Sequence, residues 1–121
     1  MNNKDFVKRI IEVVREDSIT DSIEDLTDPP GRKPSSEDLE LSSWFNQLDN
    51  NDKEKLIKII RRAVDSSIFG FFAVLDGVRA IESEPTKGKI GLYYEKNEKS
   101  SLLNNHKEEY LHDIFNNQIR G

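Results

Sequence analysis

The sequence predicts a mostly helical α+β fold, and three features of its hydrophobic patterning point there. Apolar residues recur three or four apart across 51–82. A shorter run at the amino terminus repeats that spacing, and between about 89 and 103 the period changes to two. A chain of 121 residues is the size of one ordinary domain, able to bury roughly two thirds of its unfolded surface, so a single domain over 1–121 is expected. Apolar residues make up 35% and charged residues 34%, which confines the core to a few elements.

Asn2 or Asn3 can cap a first helix, whose apolar face takes Phe6, Val7, Ile10, Ile11, Val13 and Val14. Lys4, Lys8, Arg9, Glu12 and Arg15 take the wet face. From Glu16 to Ser36 the apolar content falls to Ile19, Ile23 and Leu26, and Pro29, Pro30, Gly31 and Pro34 forbid a continuing helix. An acidic, proline-containing loop is expected at about 17–36, with those three apolar residues anchoring it as one short helical face. Leu41, Trp44, Phe45 and Leu48 return to helical spacing behind a serine cap. Trp44, the one tryptophan, would either cover the core or anchor a partner.

The central element is organised by Leu56, Ile60, Val64, Ile68, Phe71, Phe72, Leu75, Val78 and Ile81, one stripe through about nine turns. Gly70 and Gly77 weaken it, so a kink or break near Gly70 is allowed. Asp76-Gly77 also admits a β-hairpin over 71–81, but the unshifted helical phase favours helix. Pro85 then stops the helix. Ile90, Leu92 and Tyr94 alternate, a polar turn follows at 96–99, and the hairpin at about 89–103 packs one face on helices. Asn104 or Asn105 caps a last helix whose apolar face is Leu111, Ile114 and Phe115.

The net charge of −5 is unevenly spread. Residues 1–15 hold four basic and two acidic side chains, whereas 16–40 hold nine acidic and two basic; the remaining segments balance. An acidic segment repels phosphate backbones and attracts basic partners, so nucleic-acid binding is disfavoured. No window approaches a membrane span, and the charged amino terminus does not resemble a secretory signal; a cytoplasmic protein is expected. Cysteine is absent, which removes thiolate chemistry and disulfides.

No catalytic set, metal site or cofactor motif stands out. Asp65 and Asp76 would be about 16 Å apart along a helix, too far to share an ion, and Asp76 has Arg79 three residues on as an ion-pair partner. His112 beside Asp113 lies off the apolar face, where a surface histidine is expected. His106 points elsewhere, so paired ligation fails. Acidic spacings do not match a calcium loop. Gly88-Lys89 lacks the hydroxyl of a phosphate loop, and the Arg61-Arg62 patch is diluted by acids.

The strings Ser42-Ser43-Trp44-Phe45, Leu75-Asp76-Gly77-Val78-Arg79, Leu92-Tyr93-Tyr94 and Leu111-His112-Asp113-Ile114-Phe115 look like those of a group of small uncharacterised bacterial proteins. In size and acidity the chain is similar to immunity proteins that neutralise bacterial toxins. The resemblance covers 42–115 and implies no active-site residue. The expectation is therefore a non-enzymatic binding module without cofactor, meeting a basic protein through Asp21, Glu24, Asp25, Asp28 and Trp44. The alternatives are a small hydrolase or metal-dependent enzyme using Asp76 and His112, and a self-associating domain forming a homodimer along the apolar stripe.

Overall fold

A computed structural model of the chain describes residues 1–120. Its elements are α1 (Asn3–Ile10), a π-helical turn (Ile11–Glu16), α2 (Asp17–Thr27), α3 (Ser36–Gln47), α4 (Asn50–Leu75), β1 (Tyr93–Lys96), β2 (Lys99–Leu102) and α5 (Leu111–Arg120). They form two compact units, Met1–Val14 with Ser66–Gly121, and Arg15–Asp65.

In the first unit, α1 starts where the Asn2 side chain accepts the Asp5 N–H at 2.8 Å. The core is Val7 from α1, Phe72 and Leu75 from α4, and Leu111, Ile114 and Phe115 from α5. Phe72 meets Phe6 and Phe115 edge-on, with ring centroids 6.2 and 5.8 Å apart. The long helix is thus packed by the amino- and carboxy-terminal helices, as its apolar stripe predicts. Each large core side chain contributes roughly 1.5–3 kcal/mol.

Helix α4 runs unbroken through Gly70, whose missing Cβ leaves room for the Arg79 guanidinium. It ends at Leu75, seven residues short of the expected 82. The stop is a Schellman motif. Gly77 takes φ +77°, its N–H donates to the Val74 carbonyl at 3.0 Å, and the Val78 N–H donates to the Ala73 carbonyl at 3.0 Å. Asp76-Gly77 therefore ends a helix and turns no hairpin. Val78 and Ile81, expected on the buried stripe, are exposed, and so is Phe71 at 62%.

The two-stranded hairpin falls inside the expected 89–103. Tyr93 pairs with Leu102 and Lys96 with Lys99, antiparallel, around a two-residue turn in which Asn97 and Glu98 both have positive φ. The buried side chain of Asn104 secures the approach to it. Asn104 donates to the Leu75 carbonyl at 2.6 Å and the Ile90 carbonyl at 2.7 Å, and accepts the Leu92 N–H at 2.9 Å. Asn104 is therefore a clamp on the end of α4 and not the expected cap of α5, which begins only at Leu111.

In the second unit, α2 and α3 pack together, and Ile19 of α2 and Phe45 of α3 are buried. Ser35 caps α3 by accepting the Asp38 N–H at 3.0 Å, and Asn46 donates to the Thr27 carbonyl at 3.1 Å. The loop expected at about 17–36 is thus helix over Asp17–Thr27, with irregular chain only at 28–35. The reason is amphipathicity. Ile19, Ile23 and Leu26 bury or half-bury on one side, and that burial outweighs the modest propensity of the Ser, Thr and Asp residues between them. Arg15 makes a two-pronged contact with Asp65 at 2.5 and 3.2 Å. That hydrogen bond, opposed by partial burial, raises the Arg15 pKa above its ordinary value.

The π turn corrects one further expectation. Its i→i+5 bonding widens the turn to more than four residues and breaks the 3.6-residue phase, so Val13 and Val14 are 62% and 41% exposed and lie off the core face.

Candidate functional site

Helix α2 aligns the acids that the sequence reading places in a loop. Asp17, Asp21, Glu24 and Asp25 recur at three- and four-residue spacing, so they share one face, and Asp28 follows at the helix end. All five are exposed, and among the described residues no lysine or arginine lies within ion-pairing distance of them. Neighbouring like charges cost about 0.2–0.5 kcal/mol per pair. Glu24 and Asp25 also sit near the carboxyl end of the helix, which carries no basic residue and where the helix dipole opposes negative charge. The stripe is left to be neutralised by something outside its own unit's side chains.

Trp44 does not cover the core. It is 50% exposed on α3, three residues from Leu41, which is 45% exposed. Glu37 and Glu40, seven and four residues before Trp44, flank the pair on the same helical face and are exposed too. The result is a small aromatic knob with an acidic rim. Helical spacing alone places Glu37 and Glu40 on that rim, outside the expected contact set of Asp21, Glu24, Asp25, Asp28 and Trp44.

The first unit carries the Asp76–His112 pair. Asp76 lies just beyond α4, and its side chain is 1% exposed. One oxygen accepts the Leu111 N–H at 3.1 Å; the other accepts the His112 N–H at 2.9 Å and contacts His112 Nδ1 at 2.6 Å. A carboxylate at the first turn of a helix satisfies otherwise unpaired N–H groups and suits the positive end of the dipole. Asp76 is therefore the cap of α5, supplied from the end of α4. The expected Asp76–Arg79 ion pair gives way to this contact. His112, expected at the surface, is only 14% exposed in its side chain and stands edge-on to Phe69 at 5.4 Å. Its Nε2 faces Asp113 Oδ1 at 3.4 Å. Asp65 is engaged elsewhere, by Arg15.

Two concavities flank α1 in the same unit. One, about 350 Å³, is lined by Phe6, Ile10, Val14, Phe71 and Leu92 among others, and only apolar atoms face it. The other, about 720 Å³, lies between α1 and the hairpin and gathers Lys8, Arg9, Lys96 and Lys99, with Asp5 and Glu12, around Tyr94. Arg9 is paired with Glu12 at 3.3 Å.

Among the described residues, no group of three His, Asp or Glu side chains is placed to hold a metal ion, and no helix is long and apolar enough to cross a membrane. Comparison with protein-family models, curated proteins and solved structures finds no match.

Proposed function

We propose that this protein is a non-enzymatic binding module, of the immunity or regulatory type, that meets a basic protein through Asp21, Glu24, Asp25, Asp28 and Trp44. The observation that carries this reading is the unneutralised acidic face of α2. A basic partner removes the repulsion within that face and the conflict with the helix dipole, so binding is driven by charge and steered at long range. Exposed Trp44 supplies the apolar anchor that a polar contact needs for residence time. The same charge disfavours nucleic acid as a partner. Small size and acidity are what the chain shares with immunity proteins, and capture of a basic toxin in the cytoplasm is the form of the proposal that this resemblance suggests.

The test is capture of partners from the native host, repeated with Glu24, Asp25 and Asp28 reversed to lysine and at raised salt. Binding that weakens under both treatments is expected. Binding indifferent to both sinks the reading.

A second reading, a small hydrolase using Asp76 and His112, draws support from the 2.6 Å contact at Nδ1. A carboxylate there orients the imidazole, and Nε2 takes a proton from a water or hydroxyl once Asp113, 3.4 Å away, swings aside. Turnover of any member of an ester and phosphoester panel, lost in His112→Gln, would favour it.

A further inference from the structure

We infer that a second copy of this chain is a partner, with the Trp44 knob of one copy seated in the apolar slot beside α1 of another. The inference rests on the reading of Trp44 as a contact residue and goes beyond it by naming what Trp44 enters.

Two independent kinds of complementarity carry it. The slot, about 350 Å³, presents only apolar atoms, and its rim residues Phe71 and Val14 are 62% and 41% exposed. An aromatic ring with a neighbouring leucine is the kind of group such a slot accepts, and Trp44 and Leu41 offer it. Charge sorts in the same direction. The knob is rimmed by Glu37 and Glu40. Alongside the slot runs a groove with a basic excess: Lys8, Arg9, Lys96 and Lys99 outnumber Asp5 and Glu12, Glu12 is taken by Arg9, and none of the three lysines is within ion-pairing distance of a carboxylate among the described residues. The two concavities adjoin through the chain itself: Arg9 and Ile10 are consecutive on α1, and Leu92 and Tyr94 alternate on one face of the strand approach. An apolar anchor ringed by acids thus faces an apolar slot edged by lysines.

Each copy carries one knob, in its second unit, and one slot, in its first, so the contact is heterologous and yields reciprocal pairs or longer chains. Its apolar centre is small and its rim is charged, which predicts micromolar, salt-sensitive association.

Trp44 is the chain's one tryptophan, so its emission reports the contact directly. Sedimentation and fluorescence are followed from low micromolar to near-millimolar protein at low salt. A rising mass accompanied by a blue shift of Trp44 emission, both reversed by salt, is expected. Two charge variants sharpen the test. Lys96→Glu with Lys99→Glu makes both surfaces acidic, and Glu37→Lys with Glu40→Lys makes both basic. Each alone stays monomeric, whereas an equimolar mixture associates and shifts Trp44 emission.

Monomer at every concentration, association that leaves Trp44 emission unchanged, or a mixture that stays monomeric while both variants retain native circular dichroism each overturns the inference. So does filling of the slot by a long-chain carboxylate in a protein that never self-associates. Capture of a basic partner that is lost on reversing Glu24, Asp25 and Asp28 is a separate result, and it survives if the chain proves monomeric.

Discussion

The carboxylate of Asp76 holds the imidazole of His112 at 2.6 Å while also accepting the His112 backbone N–H at 2.9 Å. One buried group thereby joins the end of α4 to the start of α5. Asp76→Ala removes a helix cap and leaves two N–H groups and a ring nitrogen without their acceptor, a loss of about 3 kcal/mol. His112→Ala loses one of these bonds, and about 1 kcal/mol. Urea unfolding of both single variants and the double variant checks this. The double variant is expected to cost less than the sum, because both changes remove the same contact.

Asn104 acts on the same junction from the other side. Asn104→Ala leaves the Leu75 and Ile90 carbonyls and the Leu92 N–H unpaired, with an expected loss of about 2–4 kcal/mol. Hydrogen exchange should quicken at Leu92 and at its neighbours in the hairpin before it quickens in α1.

The two glycines at the end of α4 respond oppositely to alanine. Gly77 has φ +77°, so Gly77→Ala strains the Schellman turn and costs about 1 kcal/mol. At Gly70 the nearest obstruction is the tip of the flexible Arg79 side chain. Moving it is cheap, and Gly70→Ala gains up to about 1 kcal/mol of helix propensity. Thermal melts of the two variants should shift in opposite directions.

The Arg15–Asp65 contact sets a pH expectation. Hydrogen bonding to Asp65 raises the Arg15 pKa, so the stability tied to Arg15's ionisation is fully present below its ordinary pKa. It is lost only as pH rises through the still higher folded value. The difference in unfolding free energy between the parent and Arg15→Gln should therefore stay level from neutral pH to about pH 10.

The helical spine and the hairpin were legible because each imposes its own period on neighbouring residues. Phe72 and Leu75 are core, and Tyr93 to Leu102 is a hairpin, as the patterning indicates. What the patterning overran was the helix end. Val78 and Ile81 keep the spacing by coincidence, whereas Gly77 stops the helix through a backbone conformation that no apolar count registers. Helix α2 was hidden by its composition, since acids, serines and threonines before Pro29 suit a loop as well as a helix. The Asp76–His112 contact spans 36 residues of chain, a separation at which local spacing is silent. Whether Trp44 is covered or exposed depends on how α3 packs, a tertiary choice that spacing along the chain does not register.

The irregular stretch after Gly77 divides the sequence without dividing the core. Val7, Phe72 and Leu75 precede it, while Leu111, Ile114 and Phe115 follow it, and residues 82–87 between them are exposed. A protease that nicks the backbone there severs a covalent link on which the packing does not depend. The two fragments should elute as one particle under native conditions and separate only in denaturant, which makes this stretch the natural place to split the polypeptide for a reassembly reporter.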